Sequence, residues 1–391
     1  MSRVLLMLFL LLPLHAENYI DEAEAYFQNE EYKKAYPLYL RSANENQKSE
    51  AAYKLGWMCE YGKATELESE TALYWYKKAA EWELTNSNKK KVYETVYRNL
   101  DPLGDEESTD TLVQLANGKF GLRAYYPNYA VVSYTDQIPK GETKYEEGGS
   151  NPDGVGYINT EVKYQISLRA DYITNWFGFV QMWTGAYTQT SYWQIFIESA
   201  PFRDTNYKPE AFVTIPLFHK ADVIGLKGFA LGYKHSSNGQ PVDDNATRDP
   251  NNPNGPKVGS RSRSWNRLYA RTYFQWDHFF AELDVWYKFK EPYETDDNPD
   301  IEDYYGQGAL ELGYINKKLL TRLTLRPSFT KGHITGELEM SYPVPLSDNV
   351  FFYFQAFSGV DTDGNVGGYG QSLIDYDQQV NQVGFGLSIS R

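Results

Sequence analysis

From about residue 122 onward the chain alternates with a period of two, and what alternates is unusual: aliphatic and aromatic residues on one face, charged and amide residues on the other. Successive side chains in a strand point to opposite faces, so each alternating run sorts into two sets. Val162, Tyr164, Ile166, Leu168, Ala170 and Tyr172 share a face, against Glu161, Lys163, Gln165, Ser167, Arg169 and Asp171. Ala281, Leu283, Val285, Tyr287 and Phe289 oppose Glu282, Asp284 and Lys288. Ile334, Leu338, Met340 and Tyr342 oppose Thr335, Glu337, Glu339 and Ser341, and near the end Val383, Phe385, Leu387 and Ile389 oppose Gly384, Gly386 and Ser388. A sheet closed into a cylinder in lipid turns its aliphatic face outward and encloses the ionisable one. About twelve such segments follow Leu122, an even number, as bacterial barrels require. The expected fold is therefore all-β, a 12-stranded antiparallel transmembrane β-barrel over 122–391, with a large soluble β-sandwich as the alternative.

The front of the chain reads differently. Met1 to Ala16 carries one early cation, Arg3, an apolar run from Val4 to Leu12 and a small residue at Ala16, the pattern of a secretory signal peptide. No later stretch is long and apolar enough for a membrane helix, so a spanning structure has to be a closed barrel. Residues 17–100 have helical spacing, with Ala35, Tyr39 and Ala43 echoed by Ala72, Tyr76 and Ala80. The run Ala52-Tyr-Lys-Leu55-Gly56, Gly62, then Ala72-Leu-Tyr-Trp75-Tyr76, resembles a Sel1-like or TPR-like repeat. Two repeats bury little core, so a further helix carrying Val92, Val96 and Leu100 is expected to cap them. The module reads as a periplasmic protein-docking element without chemistry of its own. An acidic linker, 101–121, separates it from the barrel. The single cysteine, Cys59, excludes an internal disulfide and suits a helix core. A net charge of −14 argues against nucleic acid as a partner.

Parity also isolates a reactive constellation. In Leu231-Gly-Tyr-Lys-His235-Ser-Ser237-Asn-Gly-Gln-Pro241 the residues Leu231, Tyr233, His235 and Ser237 share a face; in the next strand Asn266, Leu268, Ala270, Thr272 and Phe274 do. Those faces are the apolar ones. In a soluble sandwich they would be core, sealed from substrate; on a barrel in lipid they form the outer wall. An asparagine that orients a histidine, which deprotonates a serine, is a complete nucleophilic set and points to ester hydrolysis at a membrane surface. The His235 strand counts as the fifth, which places Ser237 near its outer end.

These two runs, with Tyr187-Thr-Gln189-Thr-Ser-Tyr-Trp193-Gln, Pro201-Phe-Arg203-Asp-Thr-Asn206-Tyr-Lys-Pro209, Asp296-Asp297-Asn298-Pro299-Asp300-Ile301 and Ser372-Leu-Ile-Asp375-Tyr376, resemble the outer membrane phospholipase A family. The resemblance implies calcium-dependent hydrolysis of phospholipid acyl esters (phospholipase A1, A2 and lysophospholipase) in the outer leaflet of the bacterial outer membrane. It implies Ser237 as nucleophile, His235 as general base and Asn266 as the residue that orients the imidazole. It further implies a calcium-promoted homodimer, with Ca2+ held by the Ser262 hydroxyl, the Gln240 backbone carbonyl and Ser199 from the partner barrel, Asp297 at a weaker site, and Gln189 at the dimer interface. The long Pro241 to Ser260 loop departs from the family pattern, and no ligand can be assigned within it. The rival reading is a non-catalytic porin or adhesin barrel with a periplasmic protein-binding helical module.

Overall fold

The computed structural model describes residues 19–65, 69–82, 121–139, 156–174, 181–217, 224–241, 246–253, 255–258, 260–276, 278–292, 295–316, 318–345, 347 and 349–390. The expected signal peptide, the capping helix with Val92, Val96 and Leu100, and most of the linker lie outside these residues. The chain divides into two compact units, 1–97 and 98–391.

In the first unit, helices α1 (Tyr19–Gln28), α2 (Tyr32–Asn46), α3 (Ser49–Glu60) and α4 (Ser69–Trp82) pack in sequence. Small residues permit the close approach: Ala23, Ala35, Ala43, Ala51 and Ala52 are fully buried beside Tyr39, Leu55, Met58 and Tyr76. Gly56 is required here, because a Cβ on it would lie 2.8 Å from the Tyr76 ring. The Tyr76 hydroxyl is not stranded by its burial; it donates to Glu60 Oε2 at 2.7 Å. Cys59 is fully buried in this helical core, as its place in the pattern suggested.

The second unit is a closed antiparallel barrel. Its strands are β1 (Gly121–Ala124), β2 (Tyr129–Thr135), β3 (Thr160–Thr174), β4 (Gln181–Trp193), β5 (Phe202–Pro216), β6 (Leu226–Ser237) and β7 (Ser264–Trp276). They continue with β8 (Phe279–Lys288), β9 (Gly308–Asn316), β10 (Leu319–Ser328), β11 (His333–Pro343), β12 (Phe351–Asp361) and β13 (Gln382–Ser388), with a short helix α5 (Ile301–Tyr305) before β9. From β2 onward each strand pairs with the next, and β13 closes on β2. β1 pairs with the part of β3 that β2 does not reach, so β1 and β2 occupy one wall position and the barrel has twelve. His235 stands on the fifth of these.

The inverted pattern is realised directly. Ile166, Val285, Ile334 and Phe385 are exposed on the exterior, while Glu161, Lys163, Asp171 and Thr335 are buried inside. Enclosed charges survive by pairing: Arg123 and Arg169 both reach Asp171 at 2.8 Å, Arg271 meets Asp284 at 2.6 Å, and Lys234 meets Glu210 at 3.0 Å. At one end the connections are short, such as 277–278 and 317–318; at the other they run through 238–263, 289–307 and 362–381. Outer-membrane barrels put short turns on the periplasmic side and long loops outside, which makes the second end the outer one. There residues 371–376 fold into the mouth and close it. Ser372 and Tyr376 are fully buried, and Leu373, Tyr376, Trp265 of β7 and Ile301 of α5 form one apolar cluster. Below lies a polar lumen cavity of about 260 Å³.

Candidate active site

β6 and β7 place His235 opposite Asn266 and Ser237 opposite Ser264. On both strands the exterior set is the one parity assigned: Leu231, Tyr233 and Leu268 are exposed, while Ser236, Tyr269 and Arg271 are buried inward. His235 Nδ1 lies 2.8 Å from Asn266 Oδ1. That oxygen also accepts from the Tyr233 hydroxyl at 2.5 Å, and the Asn266 Nδ2 donates to Glu291 Oε1 at 3.2 Å. A carbonyl oxygen can only accept, so the histidine carries its proton on Nδ1 and leaves Nε2 as the base. Ser237 stands two residues beyond His235 on the same face and opposite Tyr207 of β5. Among the described residues no hydrogen bond joins Ser237 to His235. Such contacts are often open before substrate binds, and rotation about a single χ1 carries the hydroxyl between its staggered positions.

The end of β6 is pinned by a residue to which sequence reasoning gave no role. Asn238 bridges to the residues that lead into β7: its Nδ2 donates to the Arg261 carbonyl at 2.7 Å, and its Oδ1 accepts from the Arg263 amide at 2.9 Å. The next residue, Gly239, has a φ of +63°, a left-handed conformation suited to glycine, and its α-carbon faces the Tyr207 ring closely. Asn298 does the same for β7, accepting from the Ser264 amide at 2.9 Å and donating to the Ser264 carbonyl at 3.0 Å. An Asn-Gly or Asp-Asn-Pro string signals a turn; that its side chains would staple two strands is not readable from spacing.

The calcium-site expectations divide. Ser262 and Asp297 come together, the Ser262 hydroxyl donating to Asp297 Oδ2 at 2.5 Å, so the residues expected in two separate sets share one place. Both are buried, and Asp297 Oδ1 has no hydrogen-bond partner among the described residues. Gln240 follows directly on the Asn238–Gly239 turn. A hydroxyl, an unpartnered carboxylate oxygen and a backbone carbonyl are the hard oxygen donors calcium takes. Ser199 sits apart on the β4–β5 turn, exposed and with a φ of +61°. Gln189 is on the exterior of β4, where its amide accepts from the Tyr187 hydroxyl at 3.0 Å and donates to Ser191 Oγ at 3.3 Å.

Residues 106–389 match the family model described as phospholipase A1. The chain belongs to the phospholipase A1 family. It is 32% identical to phospholipase A1 of Klebsiella pneumoniae over 281 residues, 71% of this chain and 86% of that protein. Among solved structures, outer membrane phospholipase A of Escherichia coli superposes with a TM-score of 0.53 at 31% identity, covering 69% of this chain and 94% of that one. The Salmonella typhi outer membrane phospholipase, solved as a dimer with bound calcium, gives a TM-score of 0.54 at 31% identity, covering 69% and 92%. The helical unit, 1–97, falls outside the family match. As in its relatives, the barrel is of the outer-membrane type.

Proposed function

We propose that this chain hydrolyses the acyl ester bonds of phospholipids in the outer leaflet of the outer membrane, acting as a phospholipase A1, A2 and lysophospholipase. The observation that carries the reading is the 2.8 Å contact between His235 Nδ1 and Asn266 Oδ1 on the lipid-facing wall, two residues from Ser237. His235 Nε2 takes the Ser237 proton as the serine oxygen attacks the ester carbonyl. The imidazolium, steadied by Asn266, then gives that proton to the departing alcohol oxygen, leaving an acyl-serine. Water, deprotonated by the same nitrogen, releases the fatty acid. Such acid–base help is worth about 10² to 10⁴ in rate. The filled outer mouth weighs against a diffusion pore, the main rival.

Ser262, Asp297 and the Gln240 carbonyl are the residues that would hold calcium, with Ser199 added from a partner barrel in a homodimer whose interface includes Gln189. Bound there, the cation would supply positive charge for the oxyanion of the acyl transfer. The resemblance to relatives, one of them solved as a calcium-bound dimer, supports this arrangement. The helical repeats, residues 17–100, would stand in the periplasm as a protein-docking module.

The test is fatty acid release from phospholipid micelles by the purified full-length protein, with calcium and with chelator. Wild type should release fatty acid only with calcium, and Ser237→Ala should not release it at all. Release that persists in Ser237→Ala would refute the assignment.

A further inference from the structure

We infer that Glu291 is a positioning residue of the Ser237–His235–Asn266 site: it supplies, from outside the strand, the negative charge that Asn266 lacks. The inference rests on the hydrolase reading given above.

Glu291 lies beyond the end of β8, and its backbone is held on both sides. The Phe289 amide donates to the Asn266 carbonyl at 2.9 Å, and the Pro292 carbonyl accepts from the Thr295 and Asp296 amides, each at 2.9 Å. From there Glu291 Oε1 takes the Asn266 Nδ2 proton at 3.2 Å. An ionised carboxylate is an acceptor only, so the amide has one orientation available: NH2 toward Glu291, oxygen toward the Tyr233 hydroxyl and His235. Without that acceptor the amide could turn over and present NH2 to His235, which would favour the tautomer with its lone pair on Nδ1. Nε2 would then carry a proton and could not act as base. The carboxylate also draws the Asn266 N–H toward itself, polarises the amide and leaves its oxygen more negative where the imidazolium forms; hydrogen bonds with an ionised partner are about twice as strong as neutral ones.

The placement has a physical reason. A carboxylate directly against His235 would stand on the lipid-facing wall, where a charge is costly. Beyond the strand end the same charge, half-buried, reaches the histidine through a neutral amide. The loop that delivers it, 289–307, also carries Asp297 and Asn298 to the start of β7, so one segment positions both the base and the expected calcium ligands.

The test uses the full-length protein in micelles at saturating calcium, with a short-chain phospholipid as substrate. Glu291→Gln should lower kcat about tenfold, the rate equivalent of one charge-assisted hydrogen bond, while KM and the calcium concentration for half-activity stay put. Glu291→Asp should recover much of the loss. In an Asn266→Asp background, where the carboxylate meets His235 directly, Glu291→Gln should cost nothing. A kcat within twofold of wild type, a loss reversed by added calcium, or an undiminished loss in the Asn266→Asp background would each overturn the inference. A serine-directed fluorophosphonate separates the two failures. If wild type is inert to substrate and probe, the hydrolase reading itself fails. If Ser237 is labelled and Glu291→Gln turns over normally, only the role of Glu291 fails.

Discussion

Asn266 makes three side-chain hydrogen bonds, to Tyr233, His235 and Glu291, and removing it releases all of them. Asn266→Ala is expected to lower the rate of fatty acid release by about tenfold to a hundredfold, less than loss of the base itself, because the imidazole keeps its place but not its tautomer. Initial rates, with unboiled gel mobility to show a folded barrel, decide this; unchanged turnover would remove Asn266 from the site. The His235–Asn266 contact was legible because period-two parity is strict: once both residues are assigned to the same wall, only strand register remains to bring them together. Glu291 was not legible. It lies past the end of its strand, where periodicity stops, and its reach depends on how Pro292 turns the chain. The Ser262–Asp297 contact escaped for the same reason: the partners are 35 residues apart and meet through a loop.

At the scale of elements, strands were the readable part, since each carries its own alternation, and the break between β1 and β2 was the part that alternation could not show. What packs inside the wall was also hidden, because glycine has no side chain to sort. Gly313 of β9 pairs with Phe280 of β8, and the buried Phe280 ring occupies the space beside it where a side chain would stand. A Cβ at Gly313 would stand 1.8 Å from Phe280 Cζ. Gly313→Ala therefore has to displace a packed aromatic, and is expected to cost about 1–3 kcal/mol by overpacking. Gly313→Ala combined with Phe280→Ala should cost less than the sum of the two single changes, since the clash is gone. Urea unfolding midpoints in micelles measure both; additive losses would mean that the ring is not what Gly313 accommodates. In the helical unit the Gly56–Tyr76 contact follows the same rule.

For the whole molecule, the charged interior is the price of an exterior that must face lipid, and much of its stability rests on enclosed charges held in pairs. Arg203 of β5 is the clearest case. It is fully buried, with Nε and Nη2 donating to Glu161 at 2.7 and 2.9 Å and Nη1 paired with Asp375 of the segment that closes the outer mouth. The same segment hangs on β5 by two further bonds, from the Leu373 amide to Asn206 Oδ1 at 3.0 Å and from the Ile374 amide to Asp204 Oδ2 at 3.2 Å. Arg203→Met would strip the buried Glu161 and Asp375 of the guanidinium that each is paired with, a change of the kind that typically costs about 3–5 kcal/mol. Adding Glu161→Gln and Asp375→Asn to Arg203→Met should recover part of that, because neutral amides lose less by burial. Since β5 also carries Tyr207, which pairs with Ser237, loosening the closed mouth is expected to reach the site. Arg203→Met should therefore lose activity at a lower temperature than wild type, in step with its unfolding midpoint, and the triple variant should regain both together. Activity that survives unchanged while the midpoint falls would show that the plug stabilises the barrel without holding the catalytic edge in place.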